Sequence, residues 1–151
     1  MAAPKRILIC PLDWGLGHAT RCIPVIYSLL ERNVEIFIAS SGDALELLRQ
    51  EFPQVSFFEL PSYRPAYHST GFLSMILLKQ LPKFKKVIHG EHVALEEIIR
   101  KNSIDIVISD NRYGCWSINV RSVIITHQAN LLMPKGFGWT SLSVNYFYTN
   151  H

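Results

Sequence analysis

Short apolar runs alternate with segments of helical periodicity along most of the chain, and this alternation constrains the fold more than any other feature. A short continuous apolar run bounded by proline or polar residues is typical of a strand buried on both faces. Between two such runs, Cys22, Ile26 and Leu29 recur at the spacing of one helical face. Strands that alternate with helices predict an α/β domain, a doubly wound, Rossmann-like parallel sheet of about five strands with helices on both faces. The predicted strands are residues 7–10, 34–39, 55–60, 105–109 and 123–126.

Three helices are predicted between these strands. They cover the residues up to 32 with a start or kink near Pro24, residues 43–51, and residues 72–101 with a break or bend at Pro82. Proline is tolerated only in the first turn of a helix, so both prolines are expected to mark such points. In sheets of this kind, ligands bind beside the carboxyl ends of the strands. Functional residues are therefore expected in the loops at 11–18, 40–42, 61–70, 110–114 and 127–138.

The composition indicates a single globular domain. Of the 151 residues, 48% are hydrophobic and 18% are charged, a globular balance. The net charge of +3 comes without a basic stripe interleaved with aromatic residues, so nucleic acid is not an expected partner. Cys10, Cys22 and Cys115 lack Cys-x-x-Cys spacing and lie among apolar residues, which indicates reduced, buried thiols.

No run has the ~20 apolar residues of a membrane span or the pattern of a signal peptide. We therefore predict a cytoplasmic protein that is either soluble or peripheral on the inner face of a membrane.

The segment after the first strand carries the strongest functional signal. It reads Gly15-Leu16-Gly17-His18-Ala19-Thr20. Glycines let the backbone approach a ligand closely, and the start of the following helix offers free N–H groups. A dinucleotide fingerprint would need glycine in place of Thr20 and an acidic residue in place of Ser40 or Ser41, and no Gly-Lys-Ser/Thr follows for a triphosphate loop. No cofactor is therefore predicted.

His18 and Asp110 form the candidate catalytic pair. His18 directly follows the glycine turn, and Asp110 follows the fourth predicted strand. Both lie at the ligand edge of the sheet if the first and fourth strands are neighbours. A carboxylate beside a histidine fixes its tautomer and stabilises the imidazolium, so such a pair can deprotonate a sugar hydroxyl. The alternatives remain open that His18 packs locally at the helix entry and that Asp110 caps the next turn.

These segments resemble glycosyltransferases of the GT-B fold. The similarity is to the lipid-linked muropeptide N-acetylglucosaminyltransferase class, which carries a glycine-rich loop ending in Gly-His after its first strand, here Gly15 to His18. Residues 11–21 and the stretch Ser109-Asp110-Asn111-Arg112-Tyr113-Gly114 also resemble an uncharacterised bacterial group of this class. The resemblance covers residues 1–151 as the N-terminal, acceptor-side half of such an enzyme.

The resemblance implies roles for individual residues. In enzymes of this fold the histidine after the first strand often activates the acceptor, which implies that His18 is the base and Asp110 its partner. The muropeptide enzymes carry His-Glu-Gln-Asn after the fifth strand, where this chain reads Thr126-His127-Gln128-Ala129-Asn130, so Gln128 matches and Ala129 departs from the pattern. The predicted acceptor or substrate contacts are Gly15, Gly17, Thr20, Arg112, Tyr113, His127, Gln128 and Asn130.

The same resemblance implies that the donor-binding, C-terminal domain is absent from this chain. A helix predicted near the end, at residues 144–148, lacks a capping signal, which is typical of a shortened chain. The isolated chain is expected to bind a nucleotide-sugar donor weakly and to be nearly inactive alone. Two other classes stay open: an acceptor- or membrane-docking subunit with a separate donor-binding partner, and half of a nucleotide-sugar epimerase.

One helical segment is a candidate membrane surface. Residues 72–78 are apolar almost all round, and lysines follow them, as in helices that lie on anionic lipid. The alternative is a core-facing helix with a charged outer face. The predicted membrane-facing residues are Phe72, Leu73, Ile76, Leu77, Lys79, Lys83, Lys85 and Lys86. In the same helix His89 and His92 lack a third ligand, so no metal site is predicted.

Overall fold

The computed structural model describes residues 3–62 and 73–126, and of residues 73–84 only the secondary structure. Within these residues the first four of five strands alternate with three helices, and the fifth strand follows the fourth without a helix between them. The strands are β1 (Lys5–Pro11), β2 (Val34–Ser40), β3 (Ser56–Glu59), β4 (Ile106–Asp110) and β5 (Arg121–Ile125). The helices are α1 (Leu16–Leu30), α2 (Gly42–Glu51) and α3 (Leu73–Asn102).

The five strands form one parallel sheet in the order β3-β2-β1-β4-β5. The predicted doubly wound, Rossmann-like α/β fold is therefore confirmed. The strand order reverses between β1 and β4, which are hydrogen-bonded neighbours with Pro11 opposite Asp110. In open α/β sheets ligands bind in the crevice at such a reversal, outside the carboxyl ends of the strands. The topology thus places the loop after β1 and the loop after β4 side by side.

Each face of the sheet is covered by helices. Along β1, Ile7 and Ile9 face α1 and α2, whereas Leu8 and Cys10 face α3, because successive side chains of a strand point to opposite faces. The α1/α2 side is completed by buried residues that include Ala19, Cys22, Ile26, Ile36, Ile38, Leu48 and Phe52. The α3 side includes Phe37, Ala39, Leu60, Leu95, Ile99, Ile104 and Val107. Burial on both faces thus explains why the sequences of β1 and β2 are continuous apolar runs.

The structure corrects two predictions about proline. Helix α1 begins at Leu16, not near Pro24, so residues 16–18 belong to the helix and not to the loop. Pro24 lies on the exposed face of α1, where it deprives only the Thr20 carbonyl of a helical hydrogen bond, and the buried face holds the helix together. Helix α3 likewise continues through Pro82 without interruption.

Several predicted residues lie outside the described part of the chain. These are Phe72 and the predicted acceptor contacts His127, Gln128 and Asn130. The side chains of Leu73, Ile76, Leu77, Lys79 and Lys83 are likewise outside it, whereas Lys85 and Lys86 are exposed on α3. Among the described residues, no helix combines the length and apolar character needed to cross a membrane.

Candidate functional site

The structure brings His18 and Asp110 together at the reversal of strand order. Asp110 is the last residue of β4, and His18 lies in the first turn of α1, directly after the loop that follows β1. The His18 Nδ1 atom is 3.1 Å from Asp110 Oδ2. The Asp110 side chain is 1% exposed and that of His18 is 14% exposed. A buried carboxylate thus holds one nitrogen of an imidazole that reaches the surface of the crevice.

Arg21 completes this cluster, although it was not among the predicted site residues. Its Nε is 3.1 Å from Asp110 Oδ2, and its Nη2 is 2.9 Å from Asp110 Oδ1. The guanidinium supplies a positive charge that compensates the buried carboxylate. Arg21 follows His18 by three positions, so the two side chains share one face of α1. That spacing would have identified Arg21 if the helix had been predicted to start at Leu16.

Cys22 lies at the floor of the same cluster. Its Sγ is 4.0 Å from Asp110 Oδ2. Burial in the protein, and then the negative charge of Asp110, raise the pKa of the Cys22 thiol to about 12. The thiol form, not the nucleophilic thiolate, therefore prevails at neutral pH. Cys22 acts as a buried packing residue beside the carboxylate.

The two glycines of the loop have different backbone requirements. Gly15 is the N-terminal cap of α1 with φ 73° and ψ 178°, a conformation that is essentially restricted to glycine. Gly17 lies inside the first turn of α1 with no positive φ, and a Cβ atom added there would meet nothing within 4 Å. Gly15 is therefore needed for the turn, whereas nothing in the described structure requires glycine at position 17.

A matched pair of substitutions tests this difference. We expect Gly15→Ala to lower the free energy of unfolding by about 1–3 kcal/mol, because a Cβ atom strains this backbone conformation. Gly17→Ala is expected to leave stability unchanged or slightly higher, since alanine favours helix over glycine. Urea unfolding followed by circular dichroism measures both. Equal destabilisation by the two substitutions would contradict the assignment of Gly15 as the residue that turns the chain.

Asp13 organises the ends of the neighbouring strands. Its Oδ2 accepts hydrogen bonds from the hydroxyls of Ser41, at 3.0 Å, and of Ser62. Among the described residues, its buried Oδ1 has no hydrogen-bond partner. These contacts tie the loop after β1 to the ends of β2 and β3, so Asp13 helps to hold the loop that leads to His18.

Arg112 is buried beneath the crevice, with no exposed side-chain surface. It forms an ion pair with Glu91 of α3, and its Nη atoms donate to the carbonyls of Pro11 at 3.2 Å and Pro61 at 2.6 Å. Ser40 and Ser41 hydroxyls complete its surroundings. Burial acts to lower the pKa of Arg112, but the Glu91 carboxylate, together with Cys115 and Asp13, raises this pKa above its usual value.

This placement differs from the predicted contact between Arg112 and the acceptor. The guanidinium joins the ends of β1, β2 and β3 to α3, which supports a structural role at the floor of the site. Thr20 and Tyr113 lie nearer the surface. Thr20 is exposed and donates from its hydroxyl to the Gly17 carbonyl at 3.1 Å, and Tyr113 is 42% exposed. Substrate contacts by these three residues stay predictions.

No metal centre is found within residues 3–62 and 73–126. No group of three histidine, cysteine, aspartate or glutamate side chains in these ranges is arranged as metal ligands. The cluster around Asp110 instead carries one carboxylate, one guanidinium and one imidazole. Such a set is suited to proton transfer and to binding polar groups.

Comparisons with known proteins relate the chain to three solved glycosyltransferase structures. The first is Phytolacca americana UGT2, with 18% identity and a TM-score of 0.57 over 83% of this chain and 31% of that one. The second is the glycotransferase of kitacinnamycin, with 16% identity and a TM-score of 0.62 over 95% and 35%. The third is Acinetobacter baumannii MurG, with 12% identity and a TM-score of 0.54 over 93% and 39%.

At these identities the comparisons establish the fold. No family model matches the chain, and no curated protein matches it in sequence. The chain spans roughly a third of the length of each solved structure. The five-stranded parallel sheet described above is therefore the fold of one domain of these glycosyltransferases, as the resemblance in the sequence predicted.

Proposed function

We propose that the chain is the acceptor-side half of a glycosyltransferase, which moves a sugar from a nucleotide-sugar donor to a hydroxyl of a glycan or lipid-linked acceptor. One observation carries the proposal, the contact between His18 and the buried Asp110 at the reversal of strand order. In this fold the reversal is where ligands bind. A histidine supported by a carboxylate at this point has the arrangement of a general base.

The named neighbours support the class of reaction. The three neighbours named above are glycosyltransferases, and UGT2 was determined in complex with UDP-2fluoro-glucose and pterostilbene. A nucleotide sugar is therefore the donor class that we propose for this chain. Because the chain spans about a third of each neighbour, we assign most of the donor contacts to a second half.

In the proposed reaction, His18 takes a proton from the acceptor hydroxyl. Nδ1–H of the ring donates to Asp110, which leaves the lone pair of Nε2 for the hydroxyl proton. The oxygen then forms a bond to the anomeric carbon as the bond to the nucleoside diphosphate breaks. The carboxylate of Asp110 stabilises the imidazolium that results. Gly17, with open space at its Cα, leaves room for the sugar beside His18.

Sugar transfer by a protein that joins this chain to a donor-binding half tests the proposal. With a panel of nucleotide sugars and hydroxyl acceptors, we expect release of nucleoside diphosphate that depends on both substrates. The isolated chain of 151 residues is expected to show negligible turnover. Tight, saturable binding of a nucleotide sugar to the isolated chain would contradict the assignment of most donor contacts to a second half.

Contact of α3 with a membrane surface remains a separate proposal, supported here by the exposure of Lys85 and Lys86.

A further inference from the structure

The Nδ1 atom of His18 has two neighbours, and one ring nitrogen cannot form a hydrogen bond with both of them at once. Asp110 Oδ2 lies 3.1 Å away and Arg21 Nη2 lies 2.8 Å away. A carboxylate only accepts hydrogen bonds and a guanidinium only donates them. In a neutral imidazole, Nδ1 carries either a proton or a lone pair. The hydrogen bond to Asp110 and the hydrogen bond from Arg21 therefore exclude each other.

We propose that Arg21 is a positioning residue that competes with Asp110 for Nδ1 and thereby selects the tautomer of His18. This inference rests on the proposed role of His18 as a base. When Arg21 donates to Nδ1, the neutral ring carries its proton on Nε2, which then has no lone pair for a substrate proton. When Nδ1–H donates to Asp110, the lone pair is on Nε2. Arg21 thus holds the ring in the form that cannot act as a base.

The geometry favours the contact with Arg21 in the absence of a ligand. Arg21 Nη2 bears two N–H groups, and it lies within hydrogen-bond distance of both the Asp110 carboxylate and His18 Nδ1. One guanidinium can therefore satisfy the carboxylate and the ring together. Asp110 Oδ2 already receives Arg21 Nε at 3.1 Å, so the carboxylate does not depend on a proton from His18.

A ligand that enters the crevice reaches Arg21 before Asp110. The Arg21 side chain is 40% exposed, whereas that of Asp110 is 1% exposed. A guanidinium binds phosphate groups through paired, charge-assisted hydrogen bonds. A phosphate carried into the crevice would draw the guanidinium away from Nδ1, and Nδ1–H would then donate to Asp110. Substrate binding would in this way convert His18 into the form with a lone pair on Nε2.

Nitrogen-15 NMR of histidine-labelled chain measures the tautomer directly and needs no activity. The signal of His18 is assigned by its loss in His18→Ala. In the ligand-free chain at mildly alkaline pH, we expect a pyridine-like Nδ1 that bears no proton. In Arg21→Met we expect a protonated, pyrrole-like Nδ1, because Asp110 then takes its hydrogen bond. Arg49→Met, which removes an exposed arginine of α2, should leave the signal unchanged.

A protonated Nδ1 in the ligand-free wild-type chain would overturn the competition, whether or not the Arg21 variant folds. Two additions to the protein joined to a donor-binding half then test the release of Arg21 by phosphate. Uridine diphosphate represents a nucleotide source and glucose 6-phosphate a phosphorylated acceptor. If either compound converts His18 saturably to the form with a protonated Nδ1, the release of Arg21 by phosphate is supported and the source of the phosphate is identified. If neither compound converts His18, the release of Arg21 by phosphate is overturned. If the expected changes of the His18 tautomer are seen in a joined protein that transfers no sugar, that result supports the competition between Arg21 and Asp110 for Nδ1, and it contradicts the proposed function.

Discussion

Replacing His18 with alanine is expected to lower the rate of sugar transfer by ~10²–10⁴-fold, the usual contribution of a general base. The substitution removes the only described imidazole that contacts Asp110, and it leaves the carboxylate paired with Arg21. Binding of the nucleotide sugar should be unchanged, because the proposed base touches the acceptor and not the nucleotide. The experiment compares kcat and donor Kd for the wild type and the variant, each joined to a donor-binding half.

Two controls separate chemistry from folding in this experiment. His89→Ala removes an exposed histidine of α3, and it should keep the wild-type rate. His18→Ala should unfold at the same urea concentration as the wild type, because the His18 side chain makes no part of either apolar cluster. Near-normal turnover by His18→Ala in a folded protein would make His18 a structural residue and would remove the basis of the proposed base.

The fold could be predicted because local pattern and tertiary position agree along the chain. The strands β1, β2 and β4 are largely buried on both faces, so their apolar runs are continuous and can be recognised without knowledge of the partner strands. The bounds were less certain for β5, which is exposed along most of its length and begins at Arg121, not at Val123. Pro24 misled the prediction of α1 because the cost of one lost hydrogen bond is outweighed by the burial of Ala19, Cys22 and Ile26.

The candidate site was predicted only where residues follow strands directly. Asp110 ends β4 and His18 lies in the first turn of the helix after β1, so the order of strands brings them together. Arg21 was missed because its position depends on the phase of α1, which the prediction began too late. Arg112 follows the same strand as Asp110, but it turns beneath the sheet edge toward Glu91, which is 21 residues away in the sequence. No local pattern indicates which of the two charged side chains faces the crevice.

The buried pair of Arg112 and Glu91 leads to the second large effect. Glu91→Gln keeps the shape of the side chain but removes its charge, and the buried guanidinium of Arg112 then loses the carboxylate that pairs with it. Breaking a buried ion pair by removing one partner costs about 3–5 kcal/mol. We therefore expect Glu91→Gln to lower the free energy of unfolding by that amount, measured by urea denaturation of the isolated chain.

The matched control is Glu97→Gln in the same helix. Glu97 pairs with Lys101 one turn later, and both side chains are more than half exposed. Water screens such a pair, so this variant should unfold at the wild-type urea concentration.

Adding Arg112→Met to Glu91→Gln should recover part of the lost stability, because the unpaired buried charge disappears. The recovery is only partial, since the Pro11 and Pro61 carbonyls lose their hydrogen-bond donor. If Glu91→Gln were as stable as Glu97→Gln, Arg112 would not depend on Glu91 for its charge balance.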